Sequence, residues 1–273
     1  MATLVAFHAH PDDETIIQGG SLARAVSQGH RVVIVYATDG EHGEVPDGLL
    51  AEGETLVERR RVEAERSAVA LGTSRLVWLG YGDSGMMGTD DNDDPGCFWR
   101  ADVEKAAEML ADVLREERAD LLTIYDPNGN YGHPDHIQVH RVGTRAAELA
   151  GTPEVLEVTV SREHIRGLIE AAVASGEEVD PNMPDLSDPG ITFGMPDEVI
   201  TTAIDVTAWL DRKRAAMEAH ASQIGDMGMF FAMPPEAFAA ALGTEFYIRH
   251  GAAGGRRDHE LFAAATDPGM MSG

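Results

Sequence analysis

Residues 3–14 read Thr3-Leu4-Val5-Ala6-Phe7-His8-Ala9-His10-Pro11-Asp12-Asp13-Glu14. A short, mostly apolar run passes directly into two imidazoles, a proline that fixes a turn, and three carboxylates. A buried strand of an open α/β sheet ends this way when its carboxyl end faces a ligand crevice. A purely structural strand gains nothing from such an ending, because desolvating these groups must be offset by pairing or by a cation.

Similar runs recur outward from this point, at 31–38, 75–80, 121–125 and 154–160, alternating with helix-length segments. That alternation predicts a mostly parallel sheet with crossover helices. A helix is expected from Asp13 to about Gln28. Over 101–117, Val103, Ala107, Leu110 and Leu114 recur at helical spacing and predict one buried stripe. Over 54–71 a charged helix carries a thin stripe of Leu56, Val62, Val69 and Leu71.

Past residue 160 the alternation weakens. Residues 161–175 read as a helix, 176–198 as a long, proline-bearing acidic loop of the kind that serves as a lid, 199–206 as an edge strand and 207–222 as a helix with Thr207 as its N-cap. The tail from Gly251 is glycine-rich. We divide the chain into a catalytic core, 1–160, and a smaller C-terminal portion, 161–273, that completes the same unit.

The 273 residues are 43% hydrophobic and 25% charged, enough apolar material for a sizeable core. A formal charge of −26 repels polyanions and anionic bilayers, so neither nucleic acid nor a membrane is an expected partner. No apolar stretch reaches membrane-spanning length and the N-terminus has no signal-peptide pattern, so a cytoplasmic protein is expected. The one cysteine, Cys97, reads as packed or idle.

The run at 121–125 leads into a second cluster, Tyr125-Asp126-Pro127-Asn128-Gly129-Asn130-Tyr131-Gly132-His133-Pro134-Asp135-His136. If the two strand ends are neighbours, His136 joins His10 and Asp13 on one metal. Two imidazoles and a carboxylate suit a borderline cation such as zinc, and three protein ligands leave a position open, as catalytic sites do. Asp12 then remains an unligated acid in the same crevice.

These stretches, together with Gly19-Gly20, Thr38-Asp39-Gly40, Arg60-Arg61-Val62-Glu63, Leu71-Gly72 and Asp83-Ser84-Gly85-Met86, resemble the LmbE/PIG-L zinc-dependent deacetylases over about residues 3–145. The resemblance extends to the bacterial enzymes of mycothiol formation that act on N-acetylglucosaminyl-inositol. It implies a Rossmann-like fold with helices on both faces, a zinc ion or another divalent metal such as Fe2+, and hydrolysis of an N-acetyl amino sugar. It also implies roles. His10, Asp13 and His136 ligate the metal, Asp12 is the general base for the metal-activated water, and His133 and Tyr131 face the developing oxyanion. Asp135 orients one of the imidazoles, favouring its protonated form if that imidazole is His133. Arg60 and Asp83 hold the sugar or inositol. The family often forms homo-oligomers. Glu14 reads as a helix-start residue or a support behind the ligands rather than a ligand, His8 as a packed histidine or another such support, and His220 as either a site residue or decoration of a helix face.

Rival motifs fail on their own terms. Gly80-Tyr81-Gly82-Asp83-Ser84-Gly85 fits a dinucleotide fingerprint but no helix pattern follows it. Asp90-Asp91-Asn92-Asp93-Asp94 lacks the glycine and glutamate of a calcium loop. A non-catalytic binding module would lack Asp12 or His133, and both are present. An amidase acting on a larger acyl group, such as a mycothiol conjugate, is the alternative. That branch carries a lysine shortly after the acidic cluster, where this chain has Ile17-Gln18.

Overall fold

A computed structural model of the chain describes residues 1–176, 185, 186, 188, 190–255 and 259–262. Strands β1 (Thr3–His8), β2 (Arg31–Thr38), β3 (Arg75–Tyr81), β4 (Leu121–Tyr125) and β5 (Glu154–Thr159) alternate with helices α1 (Asp13–Ser27), α2 (Leu56–Leu71), α3 (Val103–Glu117), a single turn α4 (Gly129–Gly132), and α5 (Pro134–Ala150). All five strands fall within a residue of their expected bounds. Then follow α6 (Arg162–Ser175), β6 (Thr202–Asp205), α7 (Leu210–Ala219), α8 (Ile224–Ala232), α9 (Pro235–Leu242) and β7 (Thr244–Arg249).

The sheet order is β3-β2-β1-β4-β5-β7-β6. The first five strands are parallel, with Val5 opposite Val33 on one side and Leu122 on the other. Strands 1, 2 and 4 are buried almost throughout, as continuous apolar runs covered on both faces must be. One layer of helices is α1, α2 and α7; α3 and α5 form the other. Ala107, Leu110 and Leu114 of α3 face the core as expected. Chain direction across the sheet reverses between β1 and β4, so the crevice beyond their carboxyl ends lies at the topological switch point. Both histidine clusters follow these two strands.

The α2 stripe differs from expectation. Val62 and Val69 are exposed, and the buried face is Arg60, Glu63, Ala64, Ser67, Ala68 and Leu71. These also recur every three or four residues, so the periodicity is helical but the face turned inward is polar, because α2 borders the site rather than the hydrophobic core. Thr55 and Glu58 form a reciprocal capping box at its start. Close approach explains the glycine pair of α1: a β-carbon at Gly20 would stand 2.5 Å from Val206 Cβ.

The C-terminal half departs further. The expected strand 199–206 shortens to β6, and the expected helix 207–222 becomes a 3-10 turn at Thr207–Trp209 followed by α7, which ends at His220. Thr207 does not cap it; its N–H donates to Asp205 Oδ1 (2.9 Å). Helices α8 and α9 and strand β7 were not foreseen. β7 inserts antiparallel between β5 and β6 in the same sheet. Residues 177–184, 187 and 189 of the acidic loop and most of the tail lie outside the described residues; 190–198 returns to the site, where Gly194 N–H donates to Asn130 O (2.6 Å).

Candidate metal centre

The end of β1 supplies the first half of the site. His8 is still within the strand and is packed, its Nδ1 2.8 Å from Tyr125 Oη and its Nε2 against the Gln18 amide. Burial pushes its pKa down to about 4. At the turn, His10 N–H donates to Asp13 Oδ2 (2.9 Å), and the His10 ring turns Nδ1 toward the same oxygen at 3.4 Å. The second strand end brings His136 Nε2 to 3.4 Å from Asp13 Oδ1. His136 comes from the first turn of α5 and stacks on Tyr125 with ring centroids 4.4 Å apart.

Donor atoms of His10, Asp13 and His136 lie within 4.8 Å of one another. His10 Nδ1 and His136 Nε2 each stand 3.4 Å from the Asp13 carboxylate, one at Oδ2 and the other at Oδ1, so the carboxylate sits between the two imidazoles. Two imidazoles and a carboxylate also form the donor set a borderline cation takes. These residues therefore fit a metal. Burial would raise the Asp13 pKa, yet His136 and His10 hold it well below the usual carboxylate range.

Asp12 adopts φ 123°, a conformation that non-glycine residues rarely take and that recurs at functional sites. Its carboxylate is 3.3 Å from Arg60 Nη2. Burial, partly countered by Arg60, raises its pKa to about 6. Arg60 itself is 3% exposed. It donates to Gly40 O (2.7 Å) and to Pro11 O, bridging two turns. Gly40 has φ 68°, and a β-carbon there would collide with the guanidinium.

His133 is the N-cap of α5, and its Nδ1 accepts from Asp135 N–H at 3.1 Å. Burial, then the neighbouring His10 and His136, push its pKa down to about 2. The Asp135 carboxylate does not meet this ring. It accepts from Ser84 N–H (2.9 Å) and Ser84 Oγ, and lies 3.2 Å from His10 Nε2. Asp135 was expected to orient one of the site imidazoles, and the one it meets at hydrogen-bond distance is His10, not His133. Asp83 adds a second carboxylate at 3.5 Å from His10 Nε2. Burial would lower the His10 pKa, but Asp83, Asp13 and Asp135 carry it well above its ordinary value. Asp83 also accepts from Gly85 N–H (2.9 Å) and His42 N–H (3.2 Å).

His10, Asp12, Asp13, Arg60, Asp83, Tyr131, His133 and His136 all line one cavity of about 940 Å³. Asp135 does not; it is fully buried behind His10. Tyr131 is 46% exposed, its hydroxyl 3.5 Å from His136 Nε2. Away from the polar end, the walls are apolar, with Ile16, Ile165, Leu168, Met229, Phe230 and Phe246.

Residues 5–147 match the model of the PIG-L family, described as GlcNAc-PI de-N-acetylase. The chain belongs to the PIG-L family. Its relatives include 1D-myo-inositol 2-acetamido-2-deoxy-alpha-D-glucopyranoside deacetylases from Acidothermus cellulolyticus, 43% identical with 96% of this chain and 94% of that one covered, and from Geodermatophilus obscurus, 42% identical with 95% and 97% covered. Among solved structures, the N,N'-diacetylchitobiose deacetylase of Pyrococcus horikoshii superposes with a TM-score of 0.57 over 90% of this chain and 83% of that one, at 22% identity. This PIG-L protein is an enzyme, a hydrolytic amino-sugar de-N-acetylase with a His/Asp site able to bind a metal. No helix among the described residues is long and apolar enough to cross a membrane.

Sequence reasoning gave Ser84 no role of its own, and left His220 as either a site residue or decoration of a helix face. Ser84 donates to Asp135; His220 Nε2 pairs with Glu14 Oε1 at 3.0 Å. The only local signal for the first was the triplet Asp83-Ser84-Gly85, and the second had none.

Proposed function

We propose that this protein hydrolyses the acetamide of N-acetylglucosaminyl-inositol, with zinc held by His10, Asp13 and His136. The observation that carries this reading is an unligated carboxylate, Asp12, beside the three-residue donor set in one cavity; near-full-length likeness to the inositol-glucosaminide deacetylases supports the substrate. When bound, zinc supplies Lewis-acid polarisation of the amide carbonyl and acidifies a water.

The chain's own residues do the rest. Asp12, with its pKa raised to about 6, takes a proton from water as the water oxygen bonds to the acetyl carbon. As the C–N bond breaks, Asp12 returns that proton to the leaving nitrogen, giving a free amine and acetic acid, which releases its own proton to solvent as acetate departs. His133 is neutral and accepts at Nδ1, so its remaining proton is on Nε2, where it donates to the developing oxyanion. Tyr131, at the mouth, adds a second donor. Arg60 and Asp83 border the sugar position, although both are also engaged with protein backbone.

The apolar walls favour a second reading, removal of a bulkier N-acyl group. Ile17 lines that cavity, and Gln18 is buried against His8. Fluorescamine detection of amine release separates the readings, using N-acetylglucosaminyl-inositol, N-acetylglucosamine, chitobiose and a mycothiol conjugate, with zinc added and then chelated. Chelator-sensitive release from the acetylated inositol glycoside is the expected result. Release from the conjugate alone would replace it with the amidase reading.

A further inference from the structure

Behind the metal centre is a second buried cluster that the chemistry above does not use. Glu14 and His220, 206 residues apart and both fully buried, pair at 3.0 Å between Oε1 and Nε2. Ser67 Oγ, on the inward face of α2, donates to the same Oε1 (2.8 Å). The other oxygen, Oε2, accepts from the backbone N–H of Asp12 at 3.0 Å. The Glu14 carboxylate is thus turned away from the metal ligands and toward the peptide that sets the conformation of Asp12.

That peptide needs holding. Asp12 is at φ 123°, a region an L-residue leaves unless its surroundings fix it. Its own carbonyl accepts from Thr15 N–H (2.9 Å) and Thr15 Oγ1 (2.7 Å), and the preceding carbonyl, Pro11 O, accepts from Arg60. Glu14 holds the remaining handle, the N–H. His220 is in turn fixed at the end of α7, because the following turn is tied to α2: Ser222 N–H and Oγ donate to Glu63 Oε1 (3.0 Å) and Oε2 (2.6 Å). A path of hydrogen bonds, buried at His220–Glu14 and half-buried at Glu14–Asp12, therefore runs from the C-terminal half of the chain into the backbone of Asp12.

We propose that Glu14 and His220 are positioning residues that aim the Asp12 carboxylate at the water it deprotonates. This rests on the reading of Asp12 as the general base. Neither residue lines the cavity or belongs to the three-residue donor set, so their effect passes through Asp12 and should vanish when Asp12 has no carboxylate to aim.

A double-mutant cycle reads this directly. Glu14→Ala is expected to lower kcat about 30- to 100-fold with KM changed less than about threefold, the size of loss a small misplacement of a reacting group causes. Metal content per chain should match wild type. In the Asp12→Ala background the same substitution should change the residual rate less than about twofold. Glu14→Gln, whose amide oxygen still accepts the Asp12 N–H while neutral His220 accepts from its NH2, should recover to within about fivefold of wild type. Equal losses in both backgrounds, or no loss in the wild-type background, would overturn the proposal. If Glu14→Ala does not fold, Ser67→Ala, which removes one donor to Glu14, serves in the same cycle, with an expected loss of about three- to tenfold that likewise disappears beside Asp12→Ala. An Asp12→Ala enzyme with full turnover would instead remove the general-base reading itself.

Discussion

The Nδ1 of His133 accepts a hydrogen bond from the backbone N–H of Asp135 at 3.1 Å. The bond fixes the ring's tautomer without any carboxylate, so His133 is a neutral donor through Nε2, not an imidazolium paired with an acid. His133→Ala should therefore keep its metal and lose about 10²–10³ in kcat, the cost of one oxyanion donor. Metal analysis beside steady-state rates checks this; loss of the metal would mean that His133, not His136, is the ligand.

The two remaining histidine and carboxylate roles separate by the same pair of measurements. Asp12→Ala should retain metal and lose nearly all turnover. His136→Ala removes a nitrogen 3.4 Å from Asp13, and should lower bound metal itself, with activity partly restored by excess zinc. A His136→Ala protein with full metal content would refute the ligand set.

Arg60 binds two backbone carbonyls and borders Asp12 while almost wholly buried. Its removal leaves those acceptors and the Asp12 charge without their partner. Arg60→Ala should cost about 3 kcal/mol of stability, read as a shift in the urea midpoint. Arg60→Lys should recover little, since a single ammonium cannot span the fork that reaches Gly40 O and Pro11 O together. Full recovery by lysine would show that charge alone matters there.

The Glu14–His220 pair makes stability depend on pH in a stated direction. Burial would lower the His220 pKa, but Glu14 raises it above the ordinary 6.5. A histidine whose pKa is raised by folding contributes stability that is complete below about 6.5 and is lost as pH rises through the raised value. The stability difference between wild type and His220→Gln should accordingly be larger at about pH 6 than at about pH 9. A difference that does not change over that range would mean His220 is buried neutral.

The first half of the chain was legible because its signals are local. Two-sided apolar runs gave β1 to β5, and the spacing of Ala107, Leu110 and Leu114 gave the inner face of α3. The two strand-end clusters were legible for the same reason: each is a contiguous stretch, and parallel topology does the work of joining them. α2 misled because Val62 and Val69 look like core residues, while the face that matters is built from Arg60, Glu63 and Ser67, whose partners lie on other elements. The meeting of Asp135 with His10 joins residues 125 positions apart, which no local spacing encodes. β7, despite Phe246, Tyr247 and Ile248, follows an alanine-rich helix and pairs with a strand made much earlier, so nothing near it in sequence announces its place.

Strand β7 also sets an order of events during synthesis. Every proposed metal ligand and Asp12 emerge from the ribosome with the first 136 residues, yet the edge of β5 stays open until residues 244–249 slot in beside it. Glu245 of that strand is also the acceptor for buried Lys213 (2.7 Å) and for Gly20 and Ser21 N–H in α1 (3.0 and 2.8 Å). A nascent chain thus holds the parts of its reaction centre long before β7 locks α1, the helix that begins at Asp13, and a stalled or clipped chain would present an unpaired, aggregation-prone sheet edge instead of a slow enzyme.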